Sequence, residues 1–309
     1  MAGRISAKDF KSTQQGVLDP ATTNLIFKML QNGTLSRCDT NVTMKTGKEA
    51  SVFYGEPDFE SERNSSVNPE KFHRGCAVKI FKTTLNEFSN RSDYYDGDHR
   101  FGKFSKIGTT RDSIAKWAEK EYRNLMRVNK RSNIFAPEAL TFKEHIVIMS
   151  FVGREGTPAP QLKEVPRASL SAEDWTATYL DTITIIYSLY HDCKLVHGDL
   201  SEYNLLRCDN ETWVIDFGQA VDTSHPDHVA LMLRDIRTVN NFFVKCFVPV
   251  LDPEAILSIV LQPLTALDCA FSQSRAVPPL LVDSPSDDVI SECELRNLMV
   301  KRILLQYLD

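Results

Sequence analysis

The sequence predicts an α+β fold in two parts, an N-terminal antiparallel sheet with a helix and then a mainly helical region. Three observations predict it. Short strand-like runs lie at residues 41–54, 76–81 and 145–153. Apolar residues at helical spacing dominate from residue 172 onward. Within that second part sit His197-Gly198-Asp199-Leu200-Ser201-Glu202-Tyr203-Asn204 and then Ile215-Asp216-Phe217-Gly218, two acid-bearing turns, each preceded by an apolar run.

The elements follow in order. Residues 1–18 are polar and read as a loose tail. Asp19-Pro20 starts a helix, with Asp at the cap and Pro in the first turn, and Leu25, Ile26, Met29 and Leu30 share one face before Asn32-Gly33 ends it. Thr46-Gly47-Lys48-Glu49 makes a turn between two β-prone runs, of the kind that brings backbone N–H groups to a phosphate. It is not a Walker A loop: Glu49 stands where Ser or Thr belongs and Val42 where the first Gly belongs. Residues 56–75 read as a long surface loop. Cys76 to Phe81 alternates as a strand and carries Lys79 among apolar neighbours. Residues 83–112 lack periodicity and are expected to form a flexible loop, with Ser89, Ser92, Ser105, Thr109 and Thr110 as candidate phosphate acceptors.

Residues 113–129 form a helix with Trp117, Ala118, Tyr122 and Leu125 on one side. Glu121, one turn beyond Trp117, can point inward and pair with Lys79, with Glu119 as the nearby alternative; a solvated face suits Glu119 and Lys120. His145 to Gly153 is a buried strand running into a Gly, and Pro158-Ala159-Pro160 stiffens the exit from it. Ser171-Ala172-Glu173-Asp174 opens a helix to Cys193 that buries Trp175, Tyr179, Ile183, Ile186 and Tyr190. A further helix over 227–243 carries Arg234-Asp235, where Asp235 either binds the backbone of the 197–204 loop or is exposed. Helical stretches at 254–261 and 287–308, with a Pro-rich linker at 277–285 between them, complete the chain.

Composition is that of a globular protein, 42% hydrophobic and 25% charged. A formal net charge of −5 lends no support to a broad nucleic-acid-binding surface, so no direct sequence-specific nucleic-acid partner is expected. The seven cysteines are scattered without a Cys-x-x-Cys, which fits reduced thiols rather than a disulfide framework or a zinc site. The most apolar run, 242–251, is short and broken by Lys245 and Pro249, so no membrane partner is expected; the chain reads as soluble and cytoplasmic, with the nucleus as a second location.

The two turns carry the chemistry. Phosphoryl transfer from a nucleotide needs one carboxylate to accept or orient the nucleophile's proton. It also needs an amide oxygen and a second carboxylate to hold the divalent ions on the phosphates. An Asp, an Asn five positions later and an Asp-Phe-Gly provide those groups, and two short strands, 194–196 and 213–215, can bring the motifs side by side. Lys79 on its strand matches the Val-Ala-Ile-Lys pattern whose ammonium pairs with α- and β-phosphates.

With those residues in hand, the chain resembles the RIO family of atypical serine/threonine protein kinases, from Asp19-Pro20 to about Val248. The words that carry the resemblance are Thr46-Gly47-Lys48-Glu49, Trp117-Ala118-Glu119-Lys120-Glu121, Met149-Ser150-Phe151, Pro158-Ala159-Pro160, Leu195 to Asn204, and Ile215-Asp216. Phe81 to Phe88, the polar insert before Cys76 and Pro278-Pro279-Leu280-Leu281 look most like the third RIO subfamily.

The resemblance implies a compact two-lobed kinase fold: a tail and helix over 1–40, an N-lobe over 41–152 with the flexible loop 83–112, and a C-lobe over 153–309 ending in a helix. No Ala-Pro-Glu follows Asp216, in line with the activation loop that the family lacks. It implies ATP and Mg²⁺ as cofactors, Asp199 as proton acceptor, Asn204 and Asp216 as metal ligands, and Asp216 as a possible phosphate acceptor. It assigns Lys79, paired with Glu121, to the phosphates, Thr46, Gly47, Lys48 and Glu49 to the phosphate turn, and Met149, Ser150 and Val152 to the adenine site. As partners it implies a protein substrate or the chain itself, and a small-subunit (pre-40S) pre-ribosomal particle. Two departures stand out: Lys45 where Ser is expected, and a full Asp-Phe-Gly at 216–218.

Three other readings are open. An ATPase switch in ribosome assembly would hydrolyse ATP with little protein phosphorylation. His-Gly-Asp also occurs in small-molecule phosphotransferases of the aminoglycoside and choline type, for which the helical region after Asp-Phe-Gly is short. A pseudokinase scaffold conflicts with the presence of Lys79, Asp199, Asn204 and Asp216.

Overall fold

The computed structural model describes residues 18–61, 64, 68–83, 110–263, 297, 298 and 300–305. Residues 1–17, nearly all of the expected flexible loop with Ser89, Ser92, Ser105 and Thr109, the Pro-rich stretch at 277–285, and the start of the last helix lie outside them. The chain divides into two units. The first comprises residues up to 129, 136–159 and 216–218; the second comprises 130–135, 160–215 and the residues from 219 on.

In the first unit, α1 (Pro20–Gln31) is capped by Asp19, whose carboxylate accepts the Thr22 N–H at 2.7 Å. Strands β1 (Leu35–Thr46), β2 (Ala50–Pro57), β3 (Cys76–Phe81), β4 (Ala139–Lys143) and β5 (Ile146–Ser150) form one antiparallel sheet in the order β1-β2-β3-β5-β4. Leu25, Ile26 and Met29 of α1 pack in one core with Leu35, Phe53, Val78, Ile80, Ile146 and Ile148. Because side chains alternate along a strand, Val78 and Ile80 facing that core put Lys79 on the opposite face. The long helix α2 runs over Thr110–Arg131, three residues earlier at its start than the sequence suggests. Beyond β5, β6 (Gly153–Arg154) pairs with β7 (Thr157–Pro158).

Three expectations change in this unit. Leu18, assigned to the loose tail, is buried in the α1 core. Residues 56–75 are not simply a surface loop. A 3-10 turn at Pro69–Phe72 buries Phe72, and buried Asn64 donates to the carbonyls of Gly33, Thr34 and Asp58. Lys120, expected on a solvated face, is 0% exposed, with its ammonium 5.4 Å from the Trp117 ring centroid. Charged residues lie all around this long helix, so which of them turn inward is open until its neighbours are placed. The sequence gives β4 little signal; only Leu140 and Phe142 hint at it.

In the second unit, α3 (Ala172–His191) opens with a reciprocal Ser171–Asp174 capping box. Tyr179 and Tyr187 are fully buried in it, whereas Tyr190 is half-buried and stacks on His228. β8 (Leu195–Val196) pairs with β11 (Val221–Asp222), and β9 (Leu205–Cys208) with β10 (Glu211–Val214). The strands preceding the two motifs therefore do not pair with each other. α4 (His228–Lys245) and α5 (Pro253–Leu261) follow, and Tyr179 Oη joins them to the core by donating to Asn240 Oδ1 at 3.1 Å and accepting the Leu251 N–H. Residues 300–305 are helical; buried Val300 and Leu304 belong to this segment, and Lys301 pairs with Asp181.

Candidate functional site

The first unit gathers Lys79, Glu121 and Asp216. Strand alternation aims Lys79 away from the α1 core, and Glu121 lies one turn beyond buried Trp117 on α2. The ammonium meets Glu121 Oε1 at 2.8 Å and Asp216 Oδ1 at 3.0 Å. Glu121, not Glu119, is the partner; Glu119 pairs along the helix surface with Arg123 at 2.5 Å. Burial alone would push the Lys79 ammonium toward its neutral form. The two carboxylates outweigh that, so its pKa is raised and the charge is kept. Burial raises Glu121 to about 7, opposed by Lys79 and helped by the Asp216 charge. Asp216 keeps 40% of its side chain exposed and adopts φ +66°, a left-handed conformation uncommon for a residue with a Cβ.

The remaining groups of this unit suit a nucleotide. Gly47 N–H donates to Ala50 O at 2.9 Å and closes the exposed turn of Thr46, Gly47, Lys48 and Glu49. Lys82, which the sequence does not single out, clamps that turn: Nζ donates to Gly47 O at 2.7 Å and its N–H to Glu49 O at 2.9 Å. At the end of β5, the Ser150 N–H donates to Glu138 O, and the Glu138 N–H is taken by the Ser150 hydroxyl at 2.8 Å instead of its carbonyl. The Val152 carbonyl accepts the Ala159 N–H at 3.0 Å. Among the described residues, no loop or side-chain hydrogen bond uses the Ser150 carbonyl or the Val152 N–H, and these are the groups the two residues could offer to a ligand edge. Met149 is buried beside them.

The second unit gathers Asp199 and Asn204. Asn204 Nδ2 donates to Asp199 O at 2.8 Å, so the amide's Oδ1 remains its acceptor atom. Gln219, which sequence reasoning misses, donates to Asp199 Oδ2 at 3.3 Å; its place directly after Asp-Phe-Gly is the only signal that could have found it. The loop is held from α4. Asp235 accepts the Gly198 N–H at 2.7 Å and the Leu200 N–H at 3.1 Å, and Arg234 donates to Gly198 O. Asp235 therefore binds the loop backbone. Burial pushes its pKa up to about 7 despite those bonds. Gly198 has φ +76°, and a Cβ there would come within 2.9 Å of Gln219 O, which explains Gly in place of a larger residue. His197 Nε2–H donates to Ile215 O at 3.1 Å, linking the two motifs that strand pairing does not.

Among the described residues no group of three or more His, Cys, Asp or Glu forms a metal cage. A carboxylate and an amide oxygen are donor types that Mg²⁺ accepts together with phosphate oxygens, and Asp216 of the first unit and Asn204 of the second each carry one. No helix among the described residues is long and apolar enough to cross a membrane.

Comparison with known proteins extends this reading. A family model described as the RIO domain matches residues 60–256. The human serine/threonine-protein kinase RIO3 is 41% identical over 247 residues, covering 79% of this chain and 46% of that protein. Human RIO1 is 35% identical over 260 residues, covering 84% and 42%. The chain thus spans about half the length of the curated relatives it matches. The Rio2 kinase of Chaetomium thermophilum, solved as an ADP/Mg²⁺–phosphoaspartate complex, shares the fold at a TM-score of 0.54 and 18% identity, covering 92% of this chain and 75% of that one.

Proposed function

The chain belongs to the RIO family, and from that premise we propose that it is an ATP- and Mg²⁺-dependent serine/threonine protein kinase that phosphorylates itself. The single observation that carries the reading is the buried Lys79 ammonium held between Glu121 and Asp216 at 2.8 and 3.0 Å. A charged lysine kept out of water at that cost suits an anionic ligand such as the α- and β-phosphates.

In this reading Lys79 anchors the phosphates, the Thr46–Glu49 turn offers its backbone to them, and Ser150 and Val152 bind the adenine edge. Asp216 and Asn204 would hold Mg²⁺, which would supply charge neutralisation on the transferring phosphoryl group. Asp199 takes the proton of the acceptor hydroxyl as its oxygen attacks the γ-phosphorus. The bond from that phosphorus to the β–γ bridging oxygen breaks, and ADP leaves. Gln219 holds the Asp199 carboxylate in place.

One observation favours an ATPase switch alongside it: residues 219–227 alone separate Gly218 from α4, too short a run for a peptide-docking activation segment. We further propose that the chain acts in small-subunit (pre-40S) ribosome maturation in the cytoplasm, the role that the family resemblance implies. Incubation of purified protein with γ-labelled ATP tests the set. Acid-stable label on the protein supports the kinase, and free phosphate alone supports the switch. Hydroxylamine-sensitive label points to Asp216 as the phosphate acceptor, and label on an added aminoglycoside or choline would overturn the reading.

A further inference from the structure

Glu121 and Trp117 belong to a face of α2 that also includes Asn124, and all three meet residues 216–218 or their partner. Positions 117, 121 and 124 are spaced by four and three, so they stack on one side of the helix. Glu121 holds the lysine that holds Asp216. Trp117 lies so close to Gly218 that a Cβ there would come within 2.8 Å of its Nε1. Asn124 Nδ2 donates to Phe217 O at 3.0 Å.

Asn124 is 0% exposed. An amide in such a place is costly unless its polar atoms are paired, and an apolar residue would fill the helix face without that demand. Its bond falls on the carbonyl of Phe217, the residue directly after Asp216, which is held at φ +66°. A left-handed conformation at a non-glycine persists only where its surroundings over-determine it. Lys79 fixes the Asp216 side chain, and Asn124 fixes the backbone just after it.

We propose that Asn124 is a positioning residue: by anchoring the Phe217 carbonyl it sets the direction in which the Asp216 carboxylate is presented to Mg²⁺. The inference rests on the proposed metal role of Asp216. It gives Asn124 a function distinct from filling the core. Loss of the bond frees the 217–218 peptide to turn, which loosens the backbone that follows Asp216, and the carboxylate no longer meets the cation at a fixed angle. Loss of such an outer partner lowers metal affinity by roughly 10–100-fold.

The test is a titration of a fluorescent ADP analogue, with Mg²⁺ and with EDTA, on the full chain and on Asn124→Leu, Asn124→Ala and Asn124→Gln. Asn124→Leu and Asn124→Ala, neither of which has a donor for Phe217 O, are expected to raise the Mg²⁺ concentration for half-maximal binding by roughly tenfold or more. Binding in EDTA stays as in the wild type. Asn124→Gln, which keeps the donor, recovers part of the loss. A purely structural role would weaken both conditions alike, and that result, or an unchanged Mg²⁺ dependence in Asn124→Ala, overturns the proposal alone. If Asn124→Leu does not fold, Asn124→Ala, which adds no bulk, gives the reading. Nucleotide binding by the wild type that is indifferent to Mg²⁺ would instead overturn the metal role of Asp216 itself.

Discussion

Lys79 and Glu121 form a buried pair whose energetics turn on pH. The folded Glu121 carboxyl is raised from 4.5 to about 7, so any stability linked to its proton is complete below about 4.5 and lost as pH rises through about 7. Removing the ammonium deepens that dependence, because the carboxylate is then buried without its cation. Lys79→Met is therefore expected to lose stability steeply between about pH 5 and 8, by about 3–5 kcal/mol at the alkaline end. Lys79→Met with Glu121→Gln should be nearly flat over the same range, as urea unfolding would measure. For the chemistry, Asp199→Ala should lower autophosphorylation by ~10²–10⁴-fold while leaving nucleotide affinity unchanged. Asp216→Ala should lose Mg²⁺-dependent nucleotide binding, and a retained affinity would remove it from the metal site.

At the scale of elements, two devices hold the 197–204 stretch in the second unit. The Ser171–Asp174 box starts α3, the helix that leads into that stretch, and Ser171→Ala is expected to cost about 1 kcal/mol in thermal or urea unfolding. The Asp235 carboxylate accepts two backbone N–H groups, one on each oxygen. Asparagine has only one oxygen, so Asp235→Asn sets an NH₂ against one of those donors. The expected result is a loss of about 1–3 kcal/mol, with a fall in kcat. Wild-type stability and kcat in Asp235→Asn would show that α4 does not hold the loop.

For the whole molecule, any ligand that binds only the folded chain raises its stability. Saturation at about 100 times Kd contributes about 2.7 kcal/mol. Mg²⁺ with ADP should therefore raise the melting temperature of the wild type by several degrees. Asp216→Ala should show no Mg²⁺-dependent part of that rise, and an equal shift in both would contradict the assigned ligand set.

Much of this was legible in the chain itself. Asp19-Pro20 and Ser171 to Asp174 are local capping signals, and the alternation in 76–81 fixes which face Lys79 takes; both act within a few residues, so they are written in the order of amino acids. The words around Asp199 and Asp216 and the likeness to the RIO family belong to the same level. Only the tertiary structure decided whether Asp235 meets the loop or solvent, that Lys120 is buried, and that Gln219 and Asn124 reach Asp199 and Phe217. Spacing determines the side of an element on which a residue lies. The surface that side touches depends on segments far away in the chain, and no local pattern encodes it.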